Sequence, residues 1–161
     1  MDAIKELDYA ELEREVVKLL GKAKLMALAT SADGQVTSRT MSCVADGLTV
    51  YCQTGGSSVK AEQIARNSNV ALSAGNVQVE GTASIVGHPL AEGNERFIEL
   101  YRKKHARSFK LYSHLEDEVL VVVKPTRVTL WKYGVLQGGI SFRDSLSIPD
   151  GRAYRQYTPT E

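Results

Sequence analysis

Residues 24–54 read KLMALATSADGQVTSRTMSCVADGLTVYCQT and carry two Asp-Gly pairs, Asp33-Gly34 and Asp46-Gly47. Asp-Gly between pleat-forming residues is a strong signal for a two-residue hairpin, because both central positions of a type I′ turn need positive φ. The pairs separate three expected strands, Lys24–Ser31, Gln35–Ala45 and Leu48–Thr54. The middle one carries Val36, Thr37, Thr40 and Val44, whose branched side chains suit a pleated surface. Two such turns in succession predict an antiparallel meander.

Upstream, Leu12, Val16, Leu19 and Leu20 recur at helical spacing and predict a helix over Tyr9–Leu20, with Asp8 as N-cap and Gly21 as its stop. Downstream, Gly55-Gly56-Ser57-Ser58 breaks the sheet, and Val59–Asn67 reads as a short helix with Val59, Ile64 and Ala65 turned to the core. Asn69–Ala74 and Val77–Val86 flank Gly75-Asn76 as two more strands. Glu92–His105 reads as a helix buried through Phe97, Ile98 and Tyr101; Glu118–Val123 and Arg127–Tyr133 follow as strands interrupted by Pro125. This order is mainly β with helices, in the β or α+β class, and favours a small antiparallel barrel over a doubly wound sheet. One domain spans the chain: a helix at about 8–21, a barrel core at about 24–139 and a C-terminal tail at about 140–161.

The 161 residues suffice for a core without staples, at 43% hydrophobic and 24% charged. A net charge of +1 argues against a general nucleic-acid surface. No apolar run has membrane-spanning length, and the first residues lack a signal-peptide core, so the expected compartment is the cytoplasm. Cys43 and Cys52 are too few for a disulfide framework, and His88, His105 and His114 lack ligand spacing, so no metal is expected.

The stretch with chemical content is Thr54-Gly55-Gly56-Ser57-Ser58-Val59-Lys60. Ser57 or Ser58 caps the following helix, whose free N–H groups and dipole favour an anion. Glycines let backbone approach a ligand, and Lys60 adds a full charge. It is not a nucleotide P-loop, since the Gly-x-x-x-x-Gly-Lys spacing is absent. The other reading is a plain N-cap and a solvated lysine. Arg39, on the preceding strand, adds a second cation if the Asp46-Gly47 hairpin sets that strand beside Leu48–Thr54; otherwise it is a strand arginine seeking solvent.

Taken together, Arg39-Thr40-Met41, then Thr54-x-x-x-Ser58-x-Lys60-x-x-x-Ile64, then Gln78-Val79-Glu80-Gly81, then Leu130-Trp131 resemble the FMN-binding split-barrel superfamily of pyridoxamine 5′-phosphate oxidase and the general stress flavoproteins. The resemblance covers about Lys24 to Tyr133. It implies an antiparallel six-stranded split β-barrel with flanking helices, homodimeric, with flavin mononucleotide (FMN) at the subunit interface. Arg39, Ser58 and Lys60 match phosphate-binding positions; Gln53 and Thr54 match the strand end beside the phosphate and ribityl chain. Thr40 and Met41 match backbone along the isoalloxazine ring, while Gln78 and Trp131 match positions reaching the flavin from the partner subunit. Read on their own, Trp131 is an ordinary core or interface tryptophan and Gln78 the polar face of a strand.

The departures concern substrate. The oxidase's strand lysine for the substrate phosphate is matched here by Val44, and its Arg-x-His pair has no counterpart in Gly134–Phe142. Arg143 aligns loosely with a late flavin-contacting arginine. The implied function is an FMN-dependent oxidoreductase acting on a small molecule other than pyridoxamine 5′-phosphate, with NAD(P)H as electron donor. The alternatives are a non-catalytic flavin carrier or redox sensor, or the same fold holding haem or a deazaflavin. No catalytic acid or base stands out; Tyr51, Tyr133 and His88 are available but unassigned. With Asp46-Gly47 as the two turn residues, Cys43 and Cys52 become diagonal neighbours acting as small buried hydrophobes.

Overall fold

The computed structural model describes residues 4–133 and 140–158. Strand β1 (Ile4–Leu7) leads into α1 (Tyr9–Lys22). Then follow β2 (Leu25–Ala32), β3 (Gln35–Ser42), β4 (Val44–Asp46), β5 (Thr49–Gly55) and α2 (Val59–Arg66). The second half is β6 (Asn69–Ala74), β7 (Val77–Ile85), α3 (Glu95–Lys104), α4 (Ala106–Tyr112), β8 (Glu118–Lys132), β9 (Phe142–Ser147) and β10 (Arg152–Tyr157). Every strand pairing is antiparallel.

The Asp33-Gly34 hairpin forms as the sequence predicts. Ala32 pairs with Gln35, and the two loop residues have φ of 51° and 78°. The second turn lies one residue later than expected: Asp46 pairs with Thr49, so Gly47 and Leu48 form the loop. Glycine at 47, with φ 59°, takes the left-handed position of this loop, which asparagine or aspartate would hold at higher cost.

The strand expected at Gln35–Ala45 is two strands. Its first part, β3, pairs with β2, whereas β4 pairs with β5. The break is at Cys43, whose N–H bonds the carbonyl of Lys24. One chain segment thus passes from the edge of β2 to the edge of β5. The remaining walls run β2–β6–β7–β8–β5, so the six-stranded barrel closes through this kink. The long strand β8 does not stop at Pro125; it crosses it at a register shift opposite Glu80 and Gly81. Gly81 is required there, since a Cβ would stand 2.5 Å from the carbonyl oxygen of Lys124. Proline tolerates this position because a bulge needs no ladder hydrogen bond from it.

Leu28, Val79, Val121, Val128, Leu130 and Leu146 fill the barrel, and Leu12, Val16 and Leu20 of α1 plug it. Asp8 caps α1 as expected, accepting from the Glu11 N–H at 2.8 Å. Gly21 does not end that helix; it continues to Lys22, and Lys104 Nζ donates to the carbonyls of Gly21 (2.8 Å) and Ala23 (2.7 Å). A second cluster, Val44, Phe97, Tyr101 and Leu120, seats α3 on the outside of β4. The segment at 140–158 is no loose tail: β9 and β10 extend the sheet past β8, with β1 on the outer edge.

The register also corrects the cysteines. Counting on from Val44↔Tyr51, position 43 stands opposite 52, so the thiols oppose each other within the barrel core rather than diagonally. Both are about 1% exposed, and the contact with Cys52 together with burial pushes the Cys43 thiol far up, which keeps it protonated and inert.

Candidate functional site

The site is built where β3, the end of β5 and the start of α2 meet. Arg39 on β3 faces inward opposite Leu28, and its guanidinium is held by the chain itself. Nη1 donates to Thr30 Oγ1 (2.7 Å) and the Leu28 carbonyl (3.3 Å), and Nη2 donates to Thr37 Oγ1. Both threonine hydroxyls in turn donate to Oε1 of buried Gln63 on α2, each at 2.6 Å. Burial lowers Arg39 from its ordinary value.

Lys60, in the first turn of α2, is lowered by burial and then by the charge of Arg39, against smaller opposing pulls from Cys52 and Glu118. The two cations therefore feel one another. Among the described residues neither forms an ion pair with a carboxylate. Two like charges close to one another, with no carboxylate in ion-pair contact among the described residues and only Glu118 in their wider neighbourhood, are an arrangement that a bound anion relieves.

Ser58 is the N-cap of α2: its hydroxyl accepts from the Ala61 N–H (3.3 Å) and lies 3.2 Å from Thr54 Oγ1. Capping and anion contact are compatible, because a hydroxyl has one donor and two acceptor directions. Ser57 is committed elsewhere. Its N–H (3.3 Å) and hydroxyl (3.0 Å) both donate to Asp117 Oδ2, and Gly56 N–H donates to the Asp117 carbonyl at 2.7 Å. Asp117 thus holds the glycine loop in shape.

Below this corner opens a 230 Å³ cleft lined by Thr40, Met41, Gln53, Thr54, Tyr101 and Glu118, among others. Gln53 is buried, with Oε1 accepting from Ser113 Oγ at 2.7 Å, so its amide nitrogen is the end left for a ligand. Burial pushes the Glu118 carboxyl up, partly offset by Lys60.

Thus seven of the nine sequence-predicted residues, Arg39, Thr40, Met41, Gln53, Thr54, Ser58 and Lys60, gather at one corner. Arg39 reaches it by a different route from the one expected, since its strand pairs with β2 rather than with β5. Gln78 and Trp131 do not join them. They lie on the outer face of β7 and β8, where Gln78 pairs with Thr129, two residues before Trp131. Trp131 pairs with Arg143, whose guanidinium carbon lies 5.1 Å from the indole centroid while Nη2 donates to Gln156 at 2.7 Å. Much of Gly134–Phe142 lies outside the described residues. His88 is used structurally, bonding the Leu115 carbonyl and the Leu90 N–H.

Sequence reasoning missed Thr30, Thr37 and Gln63, and also Asp117 and Glu118. Of Val59, Ile64 and Ala65, all expected to face the core, only Ile64 does: Val59 is 59% exposed, Ala65 is exposed, and α2 buries Ala61 and Gln63 beside Ile64. Gln63, beside the apolar Ile64 on a short helix, was the available signal: a glutamine on a core-facing stripe needs partners.

The profile of the family described as pyridoxamine 5′-phosphate oxidase matches residues 12–132. A search of the curated proteins finds no match. Among solved structures, general stress protein 26 of Bacillus anthracis is similar at TM-score 0.61 and 20% identity, over 73% of this chain and 92% of that one. A FAD-binding protein of Mesorhizobium loti gives TM-score 0.59 and 14% identity, over 96% and 99%. The haem storage protein HutZ of Vibrio cholerae gives 0.59 and 19%, over 71% and 89%. At these identities the likenesses show a common fold. No helix among the described residues is long and apolar enough to cross a membrane. With the profile spanning most of the chain and the barrel closing as it does, this protein belongs to the pyridoxamine 5′-phosphate oxidase-like family of split barrels.

Proposed function

We propose that the chain is an FMN-binding, FMN-dependent oxidoreductase of the cytoplasm, acting on a small molecule, with each flavin site shared between two copies. The observation that carries this is the Arg39–Lys60 pair, two cations at one corner with no ion-pair partner among the described residues, above a cleft lined by Thr54, Gln53 and Met41. The residues fit the group. Arg39 and Lys60 hold the phosphate, with the hydroxyls of Ser58 and Thr54 beside it; Gln53 and the Thr40–Met41 backbone line the way to the ring.

The cleft alone is smaller than the roughly 300 Å³ or more that such ligands fill, which supports a second wall from elsewhere. Gln78, Trp131 and Arg143 form a flat aromatic and polar patch away from the clamp, suited to be that wall in a partner. A face also exists for the partner to cover. Ala27, Ala29, Ala71, Ser38 and Ser73 make a low, small-residue surface on β2, β3 and β6, beside Val36 at 72% exposure. Closed two-fold dimers commonly bury such a face.

When bound, FMN supplies hydride transfer between NAD(P)H and a small acceptor. The chain's own part is to clamp one end, exclude water from the other and orient the ring edge. The purified protein tests this by its absorption spectrum: a flavin spectrum, with release of FMN on denaturation, supports the reading. A Soret band, or a deazaflavin spectrum, would replace it with haem or deazaflavin. Because Val44 stands at the substrate-phosphate position, turnover of pyridoxamine 5′-phosphate is expected to be undetectable by hydrogen peroxide release; steady release would overturn that part.

A further inference from the structure

One flank of the molecule is far more basic than the rest. Residues 22–24 and 102–110 hold seven of the chain's 20 lysines and arginines and none of its 19 acidic residues. The remainder is therefore net negative, although the whole chain carries +1. Arg102, Lys103, Lys104, Arg107 and Lys110 run from the last turn of α3 through α4. Lys22 and Lys24, at the end of α1, are drawn to the same flank because Lys104 Nζ donates to the carbonyls of Gly21 and Ala23. None of the seven forms an ion pair among the described residues. Such a gathering of one sign favours an anionic partner.

Apolar side chains stand beside these charges. Helix α4 has no buried residue. Its Leu111 is 45% exposed, and Leu115, in the turn that follows, is 44% exposed. A spacing of four puts Arg107 and Leu111 on one face of the helix. His88 ties Leu115 to a third exposed leucine, Leu90, with one ring nitrogen 2.9 Å from the Leu115 carbonyl and the other accepting from the Leu90 N–H at 3.1 Å. Single exposed leucines are ordinary, but three brought together beside uncompensated cations form a patch. Glu116 and Asp117 come next in the chain, and Asp117 is engaged by the Ser57 hydroxyl.

The combination selects among anionic partners. A nucleic acid would meet the cations, but leucines offer it no planar face on which bases stack. A bilayer surface uses both, with cations on anionic headgroups and leucines at the headgroup–acyl boundary. We propose that this flank docks the protein on a membrane surface rich in anionic lipid, with Leu111 and Leu115 entering the interface. The proposal is independent of what binds at the Arg39–Lys60 corner.

Co-sedimentation with vesicles tests it, comparing phosphatidylcholine alone with phosphatidylcholine containing phosphatidylglycerol. Binding to the anionic vesicles is expected to be at least tenfold tighter, and to be lost at about 1 M salt, where the screening length falls to about 3 Å. Lys103→Glu/Lys110→Glu should weaken it at least tenfold. Leu111→Ser/Leu115→Ser should also weaken it severalfold, with every charge in place. All four residues are exposed, so the fold is kept, and unchanged melting temperatures check this. Arg39→Ala/Lys60→Ala should bind vesicles like wild type. The proposal is overturned if wild type ignores anionic vesicles, binds neutral ones as well, or binds single-stranded RNA instead. It is equally overturned if either the lysine or the leucine variant binds like wild type, or if the Arg39/Lys60 variant loses binding.

Discussion

Asp144→Asn is expected to remove about 3 kcal/mol of folding stability, the cost typical of breaking a buried ion pair on one side. For a domain of this size that corresponds to a melting temperature lower by roughly 6–12 °C. The Asp144 side chain is 1% exposed and receives Lys132 Nζ at 2.8 Å and Arg155 Nε at 2.7 Å, with Arg155 Nη2 at 2.9 Å. Lys132 also reaches Glu15 of α1 at 2.8 Å. One carboxylate therefore ties β8, β9 and β10 together and, through Lys132, draws in α1. Asparagine keeps the shape but leaves two cations, each about 20% exposed, facing a neutral amide. Their partial exposure places the cost at the low end of the buried-pair range.

The same site sets a pH dependence. Burial alone would raise the Asp144 carboxyl, but the bonds from Arg155 and Lys132 outweigh it and hold the group below its ordinary value. A carboxyl lowered in the folded state contributes fully above the unfolded value, about 4, and its contribution disappears as pH falls through the lower folded value. Thermal melts from pH 7 to pH 3 should show wild type losing stability on acidification more steeply than Asp144→Asn. A variant within 0.5 kcal/mol of wild type at neutral pH, with a parallel acid profile, would contradict this account.

Arg39→Ala is expected to weaken FMN binding tenfold or more while leaving riboflavin, which lacks the phosphate, nearly unchanged. A charge-assisted hydrogen bond of this kind is worth roughly 1.5–3 kcal/mol. Lys60→Ala should act in the same direction, with the two losses not strictly additive because both cations meet one anion. The fold should tolerate Arg39→Ala. Thr30 and Thr37 already donate to Gln63, so their hydroxyls keep partners when the guanidinium is gone. Fluorescence titration with both ligands measures the ratio; equal FMN affinity in wild type and variant would remove Arg39 from the clamp.

Local signals were the legible ones. Asp33-Gly34, the Asp8 cap and the period-two strands fix their own geometry, and the structure keeps them. The second Asp-Gly pair misled by one residue because its glycine takes the first of the two loop positions rather than the second, with Leu48 after it. That slip is small in sequence but turns the cysteines from diagonal to opposed. Pro125 failed as a strand end because the break it needs is supplied by a partner, at Gly81. The Arg39–Lys60 corner was legible as residue types, whereas the network holding Arg39 was not: Thr30, Thr37 and Gln63 come from three elements that meet only after the barrel closes. The C-terminal strands were missed although β9 and β10 pair with each other around Asp150-Gly151, a local turn signal that was passed over; only the outer partner of β10, β1, lies at the far end of the chain.

The central claim is that one flavin site needs two copies of the chain. Arg39 and Lys60, proposed as the clamp, and Gln78 and Trp131, proposed as the wall, lie on different elements of a single subunit. The most direct measurement mixes Arg39→Ala/Lys60→Ala subunits with Gln78→Ala/Trp131→Ala subunits, isolates the heterodimer and counts bound FMN. One of its two sites then carries every defect and the other none. The account predicts near-normal FMN affinity at half the sites, although neither parent homodimer binds well. FMN binding by a stable monomer, or mixed dimers that recover nothing, would contradict it.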